Sequence, residues 1–152
     1  EMDCMVMNPE HYLDQFVEIG VSRVIVHIGS SSAYKEIVAH ARKHEYKIGI
    51  AFTNDIPYEE YKELIPQIDF VQVMGIAVVG KQGQPFDTRT LETVRMLRNT
   101  HPDLEIAVDG SVNAETIVPL KEAGVTRFAP GSAIAKQQNP VEAYHHLCAL
   151  LR

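Results

Sequence analysis

Residues 104–113 read LEIAVDGSVN, which is a short apolar run followed by Asp109 and a glycine-serine pair. A later stretch, residues 127–134, reads RFAPGSAI and repeats the glycine-serine pair after an apolar run. Glycine lets an anion approach backbone N–H groups, and serine adds a hydroxyl donor. The loops after the last two strands of a (β/α)8 barrel often bind phosphate. These two turns therefore favour a barrel, with phosphate held at Gly110, Ser111, Gly131 and Ser132.

The chain repeats one pattern: an apolar run, a polar or glycine-containing loop, and an amphipathic stretch. The apolar runs are short and rich in Val and Ile, which predicts strands buried on both faces of a parallel sheet. These strands cover residues 2–7, 23–28, 47–52, 69–74, 104–108 and 127–130. Apolar residues at helical spacing predict helices over residues 11–19, 33–44, 58–65, 90–98, 114–123 and 141–151.

Several predicted helix ends carry capping residues. Asn8 and Asn139 each precede a proline, which is typical of an N-cap followed by a first-turn proline. Asn113 and Gly124 bracket the helix at 114–123. The methionines of the first run are predicted to fill the core; they are Met2, Met5 and Met7.

Alternating strands and helices are compatible with an open doubly wound sheet or with a barrel. A dinucleotide-binding sheet would carry G-x-G-x-x-G after its first strand, where this chain reads Asn8-Pro9-Glu10. The absence of this motif and the glycines after the last strands favour the barrel. The open sheet is the alternative.

Composition limits the class of protein. The chain has 152 residues, 45% of them hydrophobic, and no low-complexity tract divides it, which predicts a single domain over 1–152 rather than disorder. The formal charge of −6 argues against a nucleic-acid partner. No apolar run approaches the roughly 20 residues of a membrane span, and the first ten residues are not a secretory signal. A cytoplasmic location with free thiols at Cys4 and Cys148 is expected.

Six strand–helix units are visible, whereas a barrel has eight. We expect that two N-terminal units are missing from this chain, because they have been cut, omitted or are supplied by another polypeptide. Such a chain would expose strand edges near Met5 and Phe128. It is therefore predicted to form a homo-oligomer or to pair with the missing segment.

The order of short motifs resembles the later three-quarters of a ribulose-phosphate 3-epimerase, over essentially all of this chain. The most specific family motifs are E-V-D-G-G-V-N, matched by AVDGSVN at 107–113, and A-G-S-A-I, matched by PGSAI at 130–134. Four weaker motifs precede them in the expected order. They are H-L-M-V with N-P-E at 3–10, F-H-x-E at 26–29, G-x-A-L-N-P-x-T-P at 49–57, and V-M-T-V-N-P-G-F-G-G-Q-x-F at 73–86 with one inserted residue.

The resemblance implies an isomerase of the pentose phosphate pathway and of carbohydrate metabolism, which epimerises carbon 3 of ribulose 5-phosphate. Two acid/base groups then act on opposite faces of a metal-stabilised ene-diolate. Asp109 matches the family aspartate that serves as one acid/base and as a metal ligand. The second aspartate and a neighbouring histidine ligand are expected in the missing segment, so this chain alone is expected to be inactive.

The resemblance also assigns the remaining site residues. Asp3 stands where the family has a histidine ligand, so a divalent metal (Mg²⁺, Mn²⁺ or Zn²⁺) is expected at Asp3 and Asp109, with the carboxylate favouring the first two. Met5 and Met74 match methionines that line the substrate pocket. Gly80 and Gly83 are predicted to form a lid or phosphate loop over a small phosphorylated sugar.

Three departures from the family pattern concern the sugar end of the site. Besides Asp3, residues 75–79 lack the family's N-P, and Gly29 replaces an acid at the mouth of the barrel. The phosphate end is better preserved, which leaves room for a related but altered sugar substrate.

Other interpretations remain open. The chain is alternatively a non-catalytic phosphosugar-binding module, because it lacks the partner aspartate. Aldolase and decarboxylase relatives carry D-x-K-x-x-D, which is not matched here. His27 either faces the pocket or is an ordinary core histidine. The other histidines have no evident ligand spacing and are interpreted as surface residues; they are His11, His40, His44, His101, His145 and His146.

Overall fold

The structure, a computed structural model, describes residues 1–81 and 83–152. Gln82, which belongs to the motif at 73–86, lies outside the described residues. None of the helices in these two ranges combines the length and the apolarity that a bilayer span requires.

The sheet contains six strands whose spatial order follows their order in the chain. The strands are β1 (Met2–Cys4), β2 (Arg23–His27), β3 (Lys47–Phe52), β4 (Phe70–Met74), β5 (Glu105–Asp109) and β6 (Arg127–Ala129). Their pairing is parallel, with Asp3 opposite Ile25 and Asp109 opposite Ala129. A doubly wound sheet reverses its strand order at a switch point, which this order lacks. The open-sheet alternative is therefore wrong, and the α/β class with the strand order of a barrel is confirmed.

The described residues form six α-helices; one follows each of β1, β2, β4 and β5, two follow β6, and none lies between β3 and β4. The helices are α1 (Leu13–Glu18), α2 (Tyr34–Lys43), α3 (Arg89–Thr100), α4 (Ile117–Ala123), α5 (Gly131–Ala135) and α6 (Pro140–Leu150). The cap predicted at Asn139 is confirmed, because its side chain accepts a hydrogen bond from the Glu142 N–H at 3.2 Å. Gly124 ends α4 with a φ of 114°, a conformation that glycine adopts without strain.

Two predicted helix features are wrong. The helix over 58–65 is replaced by 3-10 turns at Tyr58–Glu60 and Ile65–Gln67. Pro66 has no N–H to donate and disfavours helical geometry at the residue before it. Asn8 has a φ of 53° and its side chain makes no capping hydrogen bond; a 3-10 turn, Pro9–Tyr12, precedes α1.

The first strand is shorter than predicted. It ends at Cys4, and the side chains of Met5, Val6 and Met7 are 48%, 44% and 67% exposed. The core positions predicted for Met5 and Met7 are therefore wrong. The chain leaves the sheet here because the Asn8 N–H donates to the Ser30 carbonyl at 2.8 Å, which ties this segment to the loop after β2.

The residues pack as two compact units. The first unit comprises Glu1–Phe52 and Ile56–Gln72, and the second comprises Thr53–Asp55 and Val73–Arg152. In the first unit the rings of Phe52 and Tyr61 stack at 4.0 Å. In the second unit α3 packs against α4, and the fully buried residues include Val94, Leu97, Ile106, Val108 and Leu120. A single domain over 1–152 stays a prediction.

Candidate functional site

Asp109 is the last residue of β5, at the end of the strand where barrel enzymes place their functional groups. Its carbonyl oxygen accepts a hydrogen bond of 2.7 Å from the N–H of Gly75, which follows β4. A Cβ at Gly75 would lie 2.2 Å from the Gly110 carbonyl oxygen, so only glycine fits. The ends of β4 and β5 are thus held together backbone to backbone, which fixes the main chain that carries Asp109.

The turn after Asp109 is tightly organised. Gly110 and Ser111 have φ values of 99° and 54°, both in the left-handed region. The Ser111 carbonyl accepts hydrogen bonds from the Thr116 hydroxyl at 2.8 Å and from the Asn113 side-chain amide at 3.2 Å. The Asn113 Oδ1 in turn accepts from the N–H of Thr116 at 3.2 Å. This network holds the glycine-serine turn in place before α4 begins.

The Ser111 hydroxyl is engaged within the protein. Its Oγ donates a hydrogen bond of 2.6 Å to the carbonyl oxygen of Gln84. The hydroxyl proton predicted to serve a phosphate is therefore directed at the loop between β4 and α3. Phosphate would receive this proton only after the bond to Gln84 breaks.

The loop between β4 and α3 is a folded element. The Gln84 side chain accepts from the Val78 N–H at 3.0 Å and donates to the carbonyls of Val78 and Lys81. Gly80 and Gly83 have φ values of 80° and 73°, and a Cβ at either residue would meet no atom within 4 Å. Both predicted lid glycines are exposed to solvent. The hydrogen bonds of the Gln84 side chain stabilise their loop, and the bond from the Ser111 hydroxyl connects it to the loop after β5.

The second glycine-serine turn begins at the neighbouring strand end. Gly131 and Ser132 are the first residues of α5 and are exposed, and no atom lies within 4 Å of a Cβ placed on Gly131. Asp109 pairs with Ala129, so the first glycine-serine turn starts one residue beyond a paired position, and the second starts two residues beyond it on the adjacent strand. Met74, predicted to line the pocket, is 1% exposed at the end of β4.

A second polar cluster lies in the first unit, around Asp3. The His27 Nε2–H donates to Asp3 Oδ1 at 2.7 Å, and the Gln72 amide donates to Asp3 Oδ2 at 2.9 Å. These side chains come from β1, β2 and β4, and those of His27 and Asp3 are 12% and 24% exposed. His27 is therefore a hydrogen-bond partner of Asp3. Neither alternative given for it from the sequence, a pocket residue or an ordinary core histidine, named this partner. Met5 also belongs to this unit and is half-exposed.

Gln72 was missed by the sequence analysis, although a signal was present. It is the one amide within the apolar run of β4, and it is 4% exposed. A buried amide requires hydrogen-bond partners, so a glutamine in a buried strand indicates a polar neighbour inside the sheet. That neighbour is Asp3, which lies 69 residues away in the chain. No spacing rule in the sequence connects the two residues.

A third network in the second unit also escaped prediction. The Asn54 side chain donates to Asp87 at 3.1 Å and to Thr90 at 2.9 Å. Arg89 bonds to Asp87 at 2.7 Å and to Asp55 at 2.6 Å. The hydrogen bond from Arg89 is the main cause that lowers the pKa of Asp87 below its ordinary value. This network anchors the end of the β4–α3 loop to the start of α3.

The comparisons with known proteins agree with this architecture. The sequence profile of the ribulose-phosphate 3 epimerase family matches residues 1–135. The ribulose-phosphate 3-epimerase of Schizosaccharomyces pombe is 32% identical over 142 residues, which are 92% of this chain and 62% of the relative. The enzyme of Chlamydia muridarum is 30% identical over 145 residues, 91% of this chain and 63% of the relative. This chain thus spans about three-fifths of the length of these relatives.

Solved structures support the fold. A 3-hexulose-6-phosphate synthase superposes with a TM-score of 0.80 at 22% identity, covering 99% of this chain and 73% of that one. Orotidine 5'-monophosphate decarboxylase from Sulfolobus solfataricus gives a TM-score of 0.74 at 15% identity, covering 99% and 72%. At these identities the likeness concerns the fold alone. The profile match, the relatives and the motif order agree, and the chain belongs to the ribulose-phosphate 3 epimerase family.

Proposed function

We propose that this chain carries one acid/base group and the phosphate-binding loops of an isomerase that epimerises a pentulose 5-phosphate at carbon 3. The observation that carries the proposal is the position of Asp109, at the carboxyl end of β5 and directly before the Gly110-Ser111 turn, in a chain of the epimerase family. The backbone bond from Gly75 holds this segment, so the main chain beneath the carboxylate is fixed before substrate binds.

The proposed chemistry is proton transfer at carbon 3. The Asp109 carboxylate takes the proton from one face of the sugar, and the bonding electrons delocalise into the adjacent carbonyl to give an ene-diolate. A second acid returns a proton to the opposite face, which inverts carbon 3. That second group is the second aspartate of the acid/base pair that the family resemblance implies. A positioned acid/base of this kind contributes about 10²- to 10⁴-fold to rate.

We assign the phosphate to Gly110, Ser111, Gly131 and Ser132. The support is the β5–β6 register, since the two turns leave paired positions on adjacent parallel strands. Gly80 and Gly83 lie in the loop that bonds to Ser111 through Gln84, which suits a cover for the phosphate. Met74 and Met5 are assigned to the sugar pocket on the resemblance alone. A cytoplasmic location and homo-oligomerisation, or pairing with a preceding segment, also stay predictions.

The donor chemistry fits a hard divalent cation. Asp109 and Asp3 offer carboxylate oxygens, the ligands that Mg²⁺ and Mn²⁺ prefer. Each Asp3 oxygen accepts one hydrogen bond, from His27 or from Gln72, and a carboxylate oxygen with one such bond retains a lone pair. On the family resemblance alone, we assign Asp3 and Asp109 as ligands of a divalent metal, which when bound would stabilise the negative charge of the ene-diolate. His27 and Gln72 would orient the Asp3 carboxylate.

The test is hydrogen exchange at carbon 3. The native gene product that contains this chain is incubated with ribulose 5-phosphate and Mg²⁺ in D₂O, and deuterium at carbon 3 is measured by NMR. Asp109→Asn should lower exchange by at least about a hundredfold and leave the affinity for inorganic phosphate within about twofold. The matched control is Asp103→Asn, an exposed carboxylate in the loop before the same strand. Normal exchange in Asp109→Asn would contradict the assignment.

A second candidate is a phosphosugar-binding module without catalysis. The observation that favours it is the engagement of both Asp3 oxygens by His27 and Gln72. This candidate predicts binding of ribulose 5-phosphate by the native product with no deuterium incorporated at carbon 3. The wild-type arm of the exchange experiment therefore separates the two.

A further inference from the structure

Two histidines that the sequence analysis interpreted as surface residues lie beside an aspartate. His40 is on α2 and His44 follows its last residue, so the two are one helical turn apart. Asp14 is on α1, and its Oδ1 lies 2.9 Å from the His40 Nε2. One potential ligand atom from each residue lies within 4.8 Å of those of the other two. All three belong to the first unit.

The orientation of the His40 ring is fixed from both sides. Its Nε2–H donates to Asp14, since an ionised carboxylate only accepts hydrogen bonds. Its Nδ1 lies 3.1 Å from the hydroxyl oxygen of Tyr46, a residue that is 4% exposed. The His40 side chain is 18% exposed, whereas the Asp14 carboxylate is 88% exposed. The half-buried imidazole of His40 is thus held by Tyr46 at Nδ1 and contacts the exposed carboxylate of Asp14 through Nε2.

The contact between the His40 Nδ1 and the Tyr46 hydroxyl is of the kind that metal-bound histidines usually have. The second ring nitrogen of a metal ligand almost always bonds to a partner that fixes the ring and its tautomer. Tyr46 is placed for this role, because its hydroxyl can donate to Nδ1 in the free protein and accept from Nδ1–H once Nε2 binds an ion. The ring of His44 stacks on that of His40 at a centroid distance of 4.3 Å, and His44 is half-buried directly after the last residue of α2.

We infer that Asp14, His40 and His44 form a site for a borderline divalent cation of the Zn²⁺ class, separate from the carboxylate site proposed around Asp109. Two imidazole nitrogens and one carboxylate oxygen are the ligands of open zinc sites, with water in the fourth position. When the ion binds the His40 Nε2, the proton of that nitrogen moves through solvent to Nδ1, where the Tyr46 hydroxyl oxygen accepts it, and the ring stays neutral. Zn²⁺ binds such nitrogen donors far better than Mg²⁺ does.

Occupation of this site would link two helices. Asp14 lies on α1 and His40 lies on α2, so a bound ion bridges elements that are 26 residues apart in the chain. An ion that binds only the folded state raises the free energy of unfolding by mass action. The inference does not rest on the proposed epimerase function, because none of the three residues belongs to the catalytic or phosphate-binding set.

The test counts bound zinc. The chain is stripped with EDTA, dialysed against Zn²⁺, and analysed for metal per chain, with affinity measured against a chromophoric chelator. His40→Gln with His44→Gln should bind one ion fewer than wild type. Asp14→Asn, at a side chain that is 88% exposed, should lower the affinity for the same ion by at least about tenfold, and Tyr46→Phe should lower it by about ten- to a hundredfold. The thermal midpoint and circular dichroism of each variant report whether it is folded.

Two controls locate the site. His146→Gln removes an exposed histidine of α6 and should bind as wild type does. Asp109→Asn should keep the ion that the double histidine variant loses, which separates this site from the catalytic one. Zn²⁺ should shift the NMR signals of the His40 and His44 rings and leave those of His146 in place. An unchanged zinc count in the double variant, or an equal loss in His146→Gln, would overturn the inference.

Discussion

At position 75 a methyl group would lie 2.2 Å from the carbonyl oxygen of Gly110. The contact is with backbone, so the chain must move if a side chain is added. We predict that Gly75→Ala lowers the free energy of unfolding by about 2 kcal/mol or more and separates the ends of β4 and β5. Urea denaturation measures the change. Gly131→Ala, where no atom lies within 4 Å of the added carbon, should change stability by less than about 1 kcal/mol.

Exchange activity provides a second readout for the same position. The Gly75 N–H bonds to the Asp109 carbonyl, so a displaced Gly75 should also displace the proposed acid/base group. Gly75→Ala is therefore expected to lose carbon-3 exchange at temperatures where it is still folded. Wild-type stability in this variant would show that the two strand ends are not closely packed.

The two cysteines should differ in reactivity. Burial, assisted by the negative charge of Asp3, raises the pKa of the Cys4 thiol to about 11. The thiolate is the reactive form, so Cys4 stays almost wholly unreactive at pH 8. Iodoacetamide should label Cys148 in the folded chain and Cys4 only after unfolding, as mass spectrometry of the peptides would show. Equal labelling rates would mean that β1 opens readily.

At the scale of elements, the loop between β4 and α3 depends on one side chain. Gln84 bonds to both backbone groups of Val78 and to the Lys81 carbonyl. Gln84→Ala should therefore raise the amide exchange rate of Val78 by about fivefold or more, since a lost hydrogen bond costs about 1 kcal/mol. Hydrogen-exchange mass spectrometry over this loop measures the effect. The control is Gln137→Ala, an exposed glutamine after α5.

An effect on ligand binding should accompany this loosening. The Gln84 carbonyl is the acceptor for the Ser111 hydroxyl, so the loop and the proposed phosphate turn are coupled. We expect Gln84→Ala to alter phosphate affinity, while Gln137→Ala leaves it unchanged. Slow exchange at Val78 in Gln84→Ala would show that other contacts maintain the loop.

The apolar pattern of the sequence predicted the strands well where the apolar residues are in fact buried in the sheet. The run predicted at 47–52 coincides with β3, and the run at 23–28 differs from β2 by one residue. The first run failed because Met5 and Met7 are apolar yet leave the sheet, held by a hydrogen bond from Asn8 to Ser30. The apolar composition of residues 2–7 indicates a preference for burial. It does not indicate that Asn8 will bond to Ser30, which lies 22 residues later in the chain.

At the scale of the whole molecule, the fold class and the family were predictable from the order of the motifs. The glycine-serine turns after β5 and β6 indicated a barrel and the family, and both are confirmed. The pairings that complete each polar cluster were not predictable. Asp3 with Gln72, Ser111 with Gln84, and Asp14 with His40 are separated by 69, 27 and 26 residues. Such pairs form because the strands and helices fold next to one another, and no spacing rule encodes them.

Stability against acid should reflect the network around Asp87. The hydrogen bond from Arg89 lowers the pKa of Asp87 below its ordinary value of 3.8, and the Asp87 side chain is 12% exposed. A lowered pKa in the folded state means that the unfolded state binds the proton first. The contribution is therefore complete above about pH 4 and is lost as the pH falls through the lower, folded-state pKa.

Asp87→Asn should remove this part of the acid sensitivity. We expect the variant to lose about 1 kcal/mol of unfolding free energy at pH 7, where Arg89 loses a charged partner, and to decline less steeply than wild type below pH 4. Urea denaturation at pH 7 and at several acidic values measures both. Asp103→Asn, an exposed carboxylate, should follow the wild-type curve. Arg89 also bonds to Asp55. If the plots of unfolding free energy against pH were parallel for Asp87→Asn and wild type, the bond to Asp55 would be sufficient to hold the Arg89 guanidinium.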